Sequence, residues 1–235
     1  MPTSLPLLAA FTLIDHQPNF IVVNKREGIN FHDEGEIGAG LFNQVKQHLQ
    51  LTELYPVHRL DKITSGLVIM AKNLATAQQF QQLFANHQLE KYYIALSDQK
   101  PKKKQGLIKG DMEKSRRGTY KLMRSQNNPA ISQFFSYSIS NGLRLFIIKP
   151  HSGKTHQIRV ALNSIGSPII GDSSYYASSN ADRGYLHAYA LRFNLNEQAY
   201  HYVCPPYQGE LFTQTDCQVA IEQLSLPWQL NWPQL

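Results

Sequence analysis

Residues 57–66 read Val57-His58-Arg59-Leu60-Asp61-Lys62-Ile63-Thr64-Ser65-Gly66, and they set a single carboxylate between two cations. Opposite charge on either side favours the ionised form of Asp61. An ionised carboxylate is the group that serves as a nucleophile or a general base in transfer chemistry. The same spacing also suits an ordinary turn or ion-pair residue. Ser65-Gly66 are expected to break the chain before the apolar run Leu67–Ala71, which puts Asp61 at the mouth of a strand, where loops present functional groups on a rigid scaffold.

Two further side chains have the chemistry to serve such a carboxylate. Ile158, Ala161, Leu162 and Ile165 recur at helical spacing, in a helix expected to start near Thr155 and stop at Gly166. Arg159 sits beside that stripe, with a guanidinium that does not deprotonate and that can grip a carboxylate through two hydrogen bonds. A surface arginine on an amphipathic helix has the same pattern. Tyr92 and Tyr93 alternate faces if their segment is a strand, so only one of them faces a given cleft.

The elements that must position these residues alternate strands and helices without internal repeats. Phe20–Asn24, Tyr92–Leu96, Ile131–Ile139 and Leu143–Ile148 read as strands, the last two joined by a hairpin turn at Ser140-Asn141-Gly142. Leu41, Phe42, Val45 and Leu49 fall at helical spacing. So do Leu74, Ala77, Phe80, Leu83 and Phe84, with Asn73 placed to cap. The apolar start from Leu5 to Ile14 reads as the approach to a first strand. Strand runs mixed with separate helices predict an α+β architecture.

Composition narrows the function classes. At 235 residues, 42% hydrophobic and 17% charged, the chain buries a sizeable core, and one domain over residues 10–225 with a tail at 226–235 is expected. There is no run of about eighteen apolar residues, so no membrane span is expected. No Lys or Arg precedes Lys25, which does not fit a signal peptide. Cys204 and Cys217 are too few for a disulfide framework, which points to the cytoplasm. Nine scattered His residues show no metal-ligand spacing, and neither a phosphate-binding loop nor a dinucleotide fingerprint is present, so no metal and no cofactor are expected.

The net charge of +6 is concentrated. Residues 100–124 hold ten of the 23 Lys and Arg against only Asp111 and Glu113, leaving 13 basic and 15 acidic residues elsewhere. A localised cationic segment attracts a phosphate backbone without reading sequence. Lys102, Lys103, Lys104, Arg116, Arg117 and Lys121 are therefore the expected RNA contacts, the alternative being a solvated surface loop.

His58-Arg59-Leu60-Asp61 with Thr64-Ser65-Gly66 resembles the signature of the RluA family of RNA pseudouridine synthases. Lys91-Tyr92-Tyr93-Ile94-Ala95 resembles that family's Lys-x-Tyr element, and Ser152-Gly153-Lys154-Thr155-His156-Gln157-Ile158-Arg159-Val160 its Gly-Arg-Thr-His-Gln-Ile-Arg-Val element. Gly166–Asp172 and Leu186-His187-Ala188 follow in the family's order. The resemblance implies the pseudouridine synthase catalytic-domain fold, a mixed, largely antiparallel sheet with flanking helices. It implies cofactor-free isomerisation of uridine to pseudouridine in ribosomal or transfer RNA. Asp61 is then the catalytic carboxylate, Arg159 its partner, and Tyr93 the aromatic face for the uracil. Arg59 fills the space, or contacts the phosphates, left by a flipped base, with His58 and Lys62 as supporting neighbours. Ile158 and Leu186 are implied pocket walls, although a core role suits them equally.

Departures from the family pattern fall away from Asp61, Tyr93 and Arg159: Lys154 for Arg, Ala161 for a frequent His, Arg26 for a frequent Pro. About twenty residues precede the first strand, too few for the small N-terminal RNA-binding domain many relatives carry, so the catalytic domain, acting as a monomer, is expected to select its RNA. Rival readings are a non-catalytic RNA-binding or chaperone protein retaining the fold, and a hydrolytic glycosylase releasing uracil.

Overall fold

The computed structural model describes residues 10–235; the part of the expected first-strand approach on residues 5–9 lies outside them. The chain divides into two compact units, one ending at Gln81 and one running from Gln82 to Leu235.

In the first unit, β1 (Phe11–His16) and β2 (Phe20–Lys25) form an antiparallel hairpin. Helix α1 (Leu41–His48), the short β3 (Tyr55–Pro56), β4 (Thr64–Ala71) and α2 (Leu74–Ala85) follow, α2 carrying the chain into the second unit. β4 pairs antiparallel with both β2 and β3. Every residue of β2 and β4 is buried, which is why residues 20–23 and 67–71 read as continuous apolar runs instead of alternating ones. The Phe20 and Phe80 rings meet edge to face at 5.5 Å, and Asn73 caps α2 as expected, its Oδ1 accepting the Thr76 N–H at 2.8 Å.

Two expectations here are corrected. Ser65-Gly66 do not break the chain but lie inside β4, where Gly66 has φ 109°, a conformation that glycine adopts without steric cost. Leu74, counted on the buried stripe, is exposed, because it opens the first turn of α2 ahead of the buried Thr76, Ala77 and Phe80.

The second unit contains β5 (Glu90–Ser97), β6 (Gln105–Gly110), β7 (Met112–Lys114), β8 (Tyr120–Leu122), β9 (Ala130–Ser138), β10 (Arg144–Pro150), α3 (Gln157–Ser164), β11 (Leu186–Leu195), β12 (Gln198–Val203) and α4 (Thr215–Glu222). Its strands lie in the order β12-β11-β5-β10-β9-β6, each ladder antiparallel, while β7 and β8 pair separately. The β9–β10 turn is where the sequence placed it, with Asn141 and Gly142 at positive φ. Gly166, at φ 79°, ends α3 by donating to the Asn163 carbonyl at 3.0 Å. The tail packs back: the Trp228 and Trp232 rings lie 6.4 and 5.7 Å from that of Tyr92. Antiparallel ladders with four helices among the described residues make the expected α+β class.

Candidate active site

Asp61 belongs to the first unit, on the loop between β3 and β4, and that loop is fixed by its backbone. The Lys25 side chain is fully buried at the end of β2, and its Nζ donates to the carbonyls of Arg26 at 2.8 Å, Ile29 at 2.7 Å and Lys62 at 3.4 Å. A buried ammonium is tolerable only with such acceptors. The Gly28 N–H donates to the same Lys62 carbonyl at 2.8 Å, and the Thr64 N–H donates to the Asp61 carbonyl at 3.0 Å. Upstream, Leu60 is buried, and His58 Nε2 accepts the Ile69 N–H at 2.9 Å, which places the ring proton on Nδ1. His58 therefore anchors the loop to β4. Asp61 is half-buried between exposed Arg59 and Lys62, so the loop presents one carboxylate flanked by two solvent-facing cations.

Arg159 belongs to the second unit, where α3 is buried from Gln157 to Leu162. The expectation of an arginine at the margin of the buried face is corrected: Arg159 is only 4% exposed. The reason is Asp172, fully buried, whose Oδ2 accepts Nε at 2.7 Å and whose Oδ1 accepts Nη2 at 2.8 Å. This two-point grip fixes the plane of the guanidinium. The Tyr175 ring lies 5.1 Å from its central carbon.

Asp172 owes its place to Gly171. A Cβ at position 171 would stand 1.8 Å from the Arg183 carbonyl oxygen, and φ there is 76°, so only glycine fits. The loop before α3 is stapled by Gln157, whose Oε1 accepts from Ser152 Oγ and the Lys154 N–H and whose Nε2 donates to the Ile131 carbonyl of β9.

Tyr93 lies on β5 between Ile148 of β10 and Ala188 of β11. Its neighbour Tyr92 is fully buried, with its hydroxyl donating to Glu90 at 2.9 Å, so the half-buried Tyr93 is the one on the opposite face. Beside it, Lys91 Nζ lies 5.3 Å from the centre of the Phe84 ring, and burial lowers its pKa to about 8. Ile158 and Leu186 are both buried in the core of this unit, the alternative the sequence left open.

The basic segment has a fold of its own. β7 and β8 form a hairpin around a turn at Arg116–Gly118, and Arg116, Arg117 and Lys121 are exposed, as are Lys102, Lys103 and Lys104 ahead of β6. Lys121 shares its charge with Glu113 at 3.5 Å, both side chains being more than half exposed. Ser125 and the Asn127 and Asn128 amides hydrogen-bond Asp111 at the hairpin's base and lower its pKa.

Sequence reasoning missed Lys25, Asp172, Tyr175 and His156. Only the Gly171-Asp172 pair carried a usable signal, because a glycine with an acid behind it inside a matched element marks a constrained turn. His187, in another matched element, is a buried core group: its Nε2 contacts the Cys204 carbonyl at 2.7 Å, and burial lowers its pKa to about 3. Burial likewise raises the pKa of the Cys204 thiol to about 11 and that of Cys217 to about 12. No cluster of metal-ligating side chains and no helix long and apolar enough to cross a membrane occur among the described residues.

A fixed loop with one carboxylate, a two-point held arginine and a basic hairpin suit an enzyme acting on an RNA base. Residues 19–164 match the RNA pseudouridylate synthase family, and the chain belongs to that family. Its class of activity is thereby that of an RNA pseudouridine synthase, an isomerase of uridine in RNA. Among relatives, a Haemophilus influenzae protein named "Uncharacterized RNA pseudouridine synthase" is 49% identical over 195 residues, covering 83% of this chain and 87% of that one. A Rickettsia bellii "Ribosomal large subunit pseudouridine synthase C" is 33% identical over 168 residues, 69% of this chain and 56% of the relative, so this chain spans little more than half of its length. The solved structure of "Human RNA Pseudouridylate Synthase Domain Containing 1" shares the fold, with a TM-score of 0.73 at 21% identity over 91% of this chain and 94% of the other.

Proposed function

We propose that this chain converts uridine to pseudouridine in large-subunit ribosomal RNA, with Asp61 as the catalytic carboxylate. The observation that carries the reading is the Asp61 loop, whose backbone is held by Lys25, Gly28 and Thr64 while its acidic side chain lies between two exposed cations. The reaction breaks the N1–C1′ bond, turns the base and joins C5 to C1′; the C5 proton goes to solvent, and N1 takes a proton up. Atoms balance without a cofactor. An ionised carboxylate acts in it as nucleophile or as base.

In this reading Arg159, oriented by Asp172, serves the reaction as a fixed cation, and Tyr93 offers its ring to the uracil, base stacking being worth roughly 1–3 kcal/mol. Arg59 occupies the space a flipped nucleotide vacates, at an unstacking cost of a few kcal/mol. Lys62 and His58 support the loop, Ile158 and Leu186 back the pocket, and Lys102, Lys103, Lys104, Arg116, Arg117 and Lys121 hold phosphates. The protein acts as a monomer in the cytoplasm. Ribosomal RNA is favoured over transfer RNA because named relatives carry that substrate in their descriptions.

The test is tritium release from unmodified [5-³H]uridine transcripts of large-subunit ribosomal RNA and of transfer RNAs, with wild type and Asp61→Asn. Release from the ribosomal transcript by wild type alone supports the reading. Release from transfer RNA alone moves the substrate, free uracil signifies a glycosylase, and binding without release leaves an RNA-binding protein.

A further inference from the structure

Tyr175 touches two structures that the proposed function treats separately, the basic hairpin and Arg159. Its hydroxyl accepts the Tyr120 N–H of β8 at 2.8 Å and lies 3.0 Å from Nδ1 of His156, the residue that precedes α3 in a left-handed conformation. Its ring lies 5.1 Å from the Arg159 guanidinium carbon, and its own N–H donates to the Asp172 carbonyl at 3.1 Å. The Tyr120 and His156 rings meet edge to face at 5.6 Å, closing the circuit. On the hairpin side, Tyr120 pairs with Lys114 and directly precedes Lys121, and the Arg116 carbonyl is tied back by the Thr119 N–H and hydroxyl. The hairpin and the guanidinium thus both touch one side chain.

We propose that Tyr175 is a positioning residue that couples RNA engagement by the hairpin to the placement of Arg159. The hydroxyl holds the hairpin, and the ring packs on the guanidinium that Asp172 orients. This rests on the roles given above to the hairpin and to Arg159, and it predicts that the two halves of the side chain control different kinetic parameters.

The test compares Tyr175→Phe with Tyr175→Leu on the large-subunit ribosomal transcript, with tryptophan fluorescence melts as the control for folding. Losing one hydrogen bond at the hairpin in Tyr175→Phe raises KM about fivefold and leaves kcat within about twofold. Tyr175→Leu also removes the ring from the guanidinium, and kcat then falls by about tenfold or more. In both variants the Tyr120 amide exchanges with deuterium about tenfold faster, or more, while α3 amides keep their rates. Equal loss of kcat in the two variants, or unchanged KM and Tyr120 exchange in Tyr175→Phe, overturns the proposal. If wild type releases no tritium, the synthase reading fails, and Tyr120 exchange together with filter binding of the same transcript decides the coupling alone.

Discussion

Replacing Asp172 by Asn keeps the volume and one acceptor but removes the charge that two Arg159 donors address. Both side chains are almost fully buried, at 5% and 1% exposure for Arg159 and Asp172, so solvent screening does not soften the loss. Breaking such a pair by removing one partner costs about 3–5 kcal/mol. The amide oxygen left behind retains one neutral hydrogen bond, which brings the expected cost to about 3 kcal/mol. At roughly 2–4 °C per kcal/mol for a chain of this size, the midpoint of unfolding falls by about 6–12 °C. Both tryptophans, Trp228 and Trp232, pack on the core of the unit that holds the pair, so their fluorescence reports on the right unfolding event. A loss below about 1 kcal/mol would refute the claim that Asp172 holds the guanidinium, as would equal losses for Asp172→Asn in the wild-type and Arg159→Met backgrounds, since a double-mutant cycle isolates the pairwise energy.

Three other perturbations have defined outcomes. Lys25→Met removes the ammonium that ties three carbonyls; tritium release under saturating RNA should fall about tenfold or more while the fold survives in circular dichroism, and an unchanged rate would mean the loop needs no such tie. His187 is held neutral by burial, with its folded pKa below the ordinary 6.5, so its contribution is intact above pH 6.5 and is lost progressively as pH falls toward about 3. Between pH 7 and pH 5 wild type should lose about 2 kcal/mol that His187→Gln does not, read from urea midpoints at the two pH values. Arg116→Ser with Arg117→Gly removes two exposed charges, the second from a residue at φ 53° where glycine fits the backbone. The slope of log affinity against log salt should shrink by roughly 1.4–1.8 in a filter-binding titration, and an unchanged slope would take the hairpin out of the RNA interface.

What could be read from the sequence followed the range of the interactions. α1, α2 and α3 were legible because their apolar residues recur at short helical intervals, and β2 and β4 because each contains an unbroken apolar run, residues 20–23 and 67–71. The β7–β8 hairpin was read only as a charged segment, since Lys114, Arg116, Arg117 and Lys121 suppress any strand pattern, and its pairing rests on backbone geometry and on Asp111. Gly66 was misread as a break because its letter does not reveal whether a positive φ ends a strand or continues one. In the candidate site, Asp61, Tyr93 and Arg159 stood out through ordered motifs. Asp172 lies 13 residues from Arg159 and the Lys62 carbonyl 37 residues from Lys25, so those contacts exist only once the chain is folded.

The burial of Lys25 has a further consequence. Its ammonium meets uncharged carbonyls in a place counterions do not reach, whereas the hairpin's cations stand in solvent. Ionic strength therefore acts on one and spares the other: salt screens the hairpin's cations without disturbing the geometry of the Asp61 loop. Under the proposed function, changes of surface charge redirect the enzyme to a different RNA while its chemical step stays as it was, leaving target choice free to drift apart from turnover.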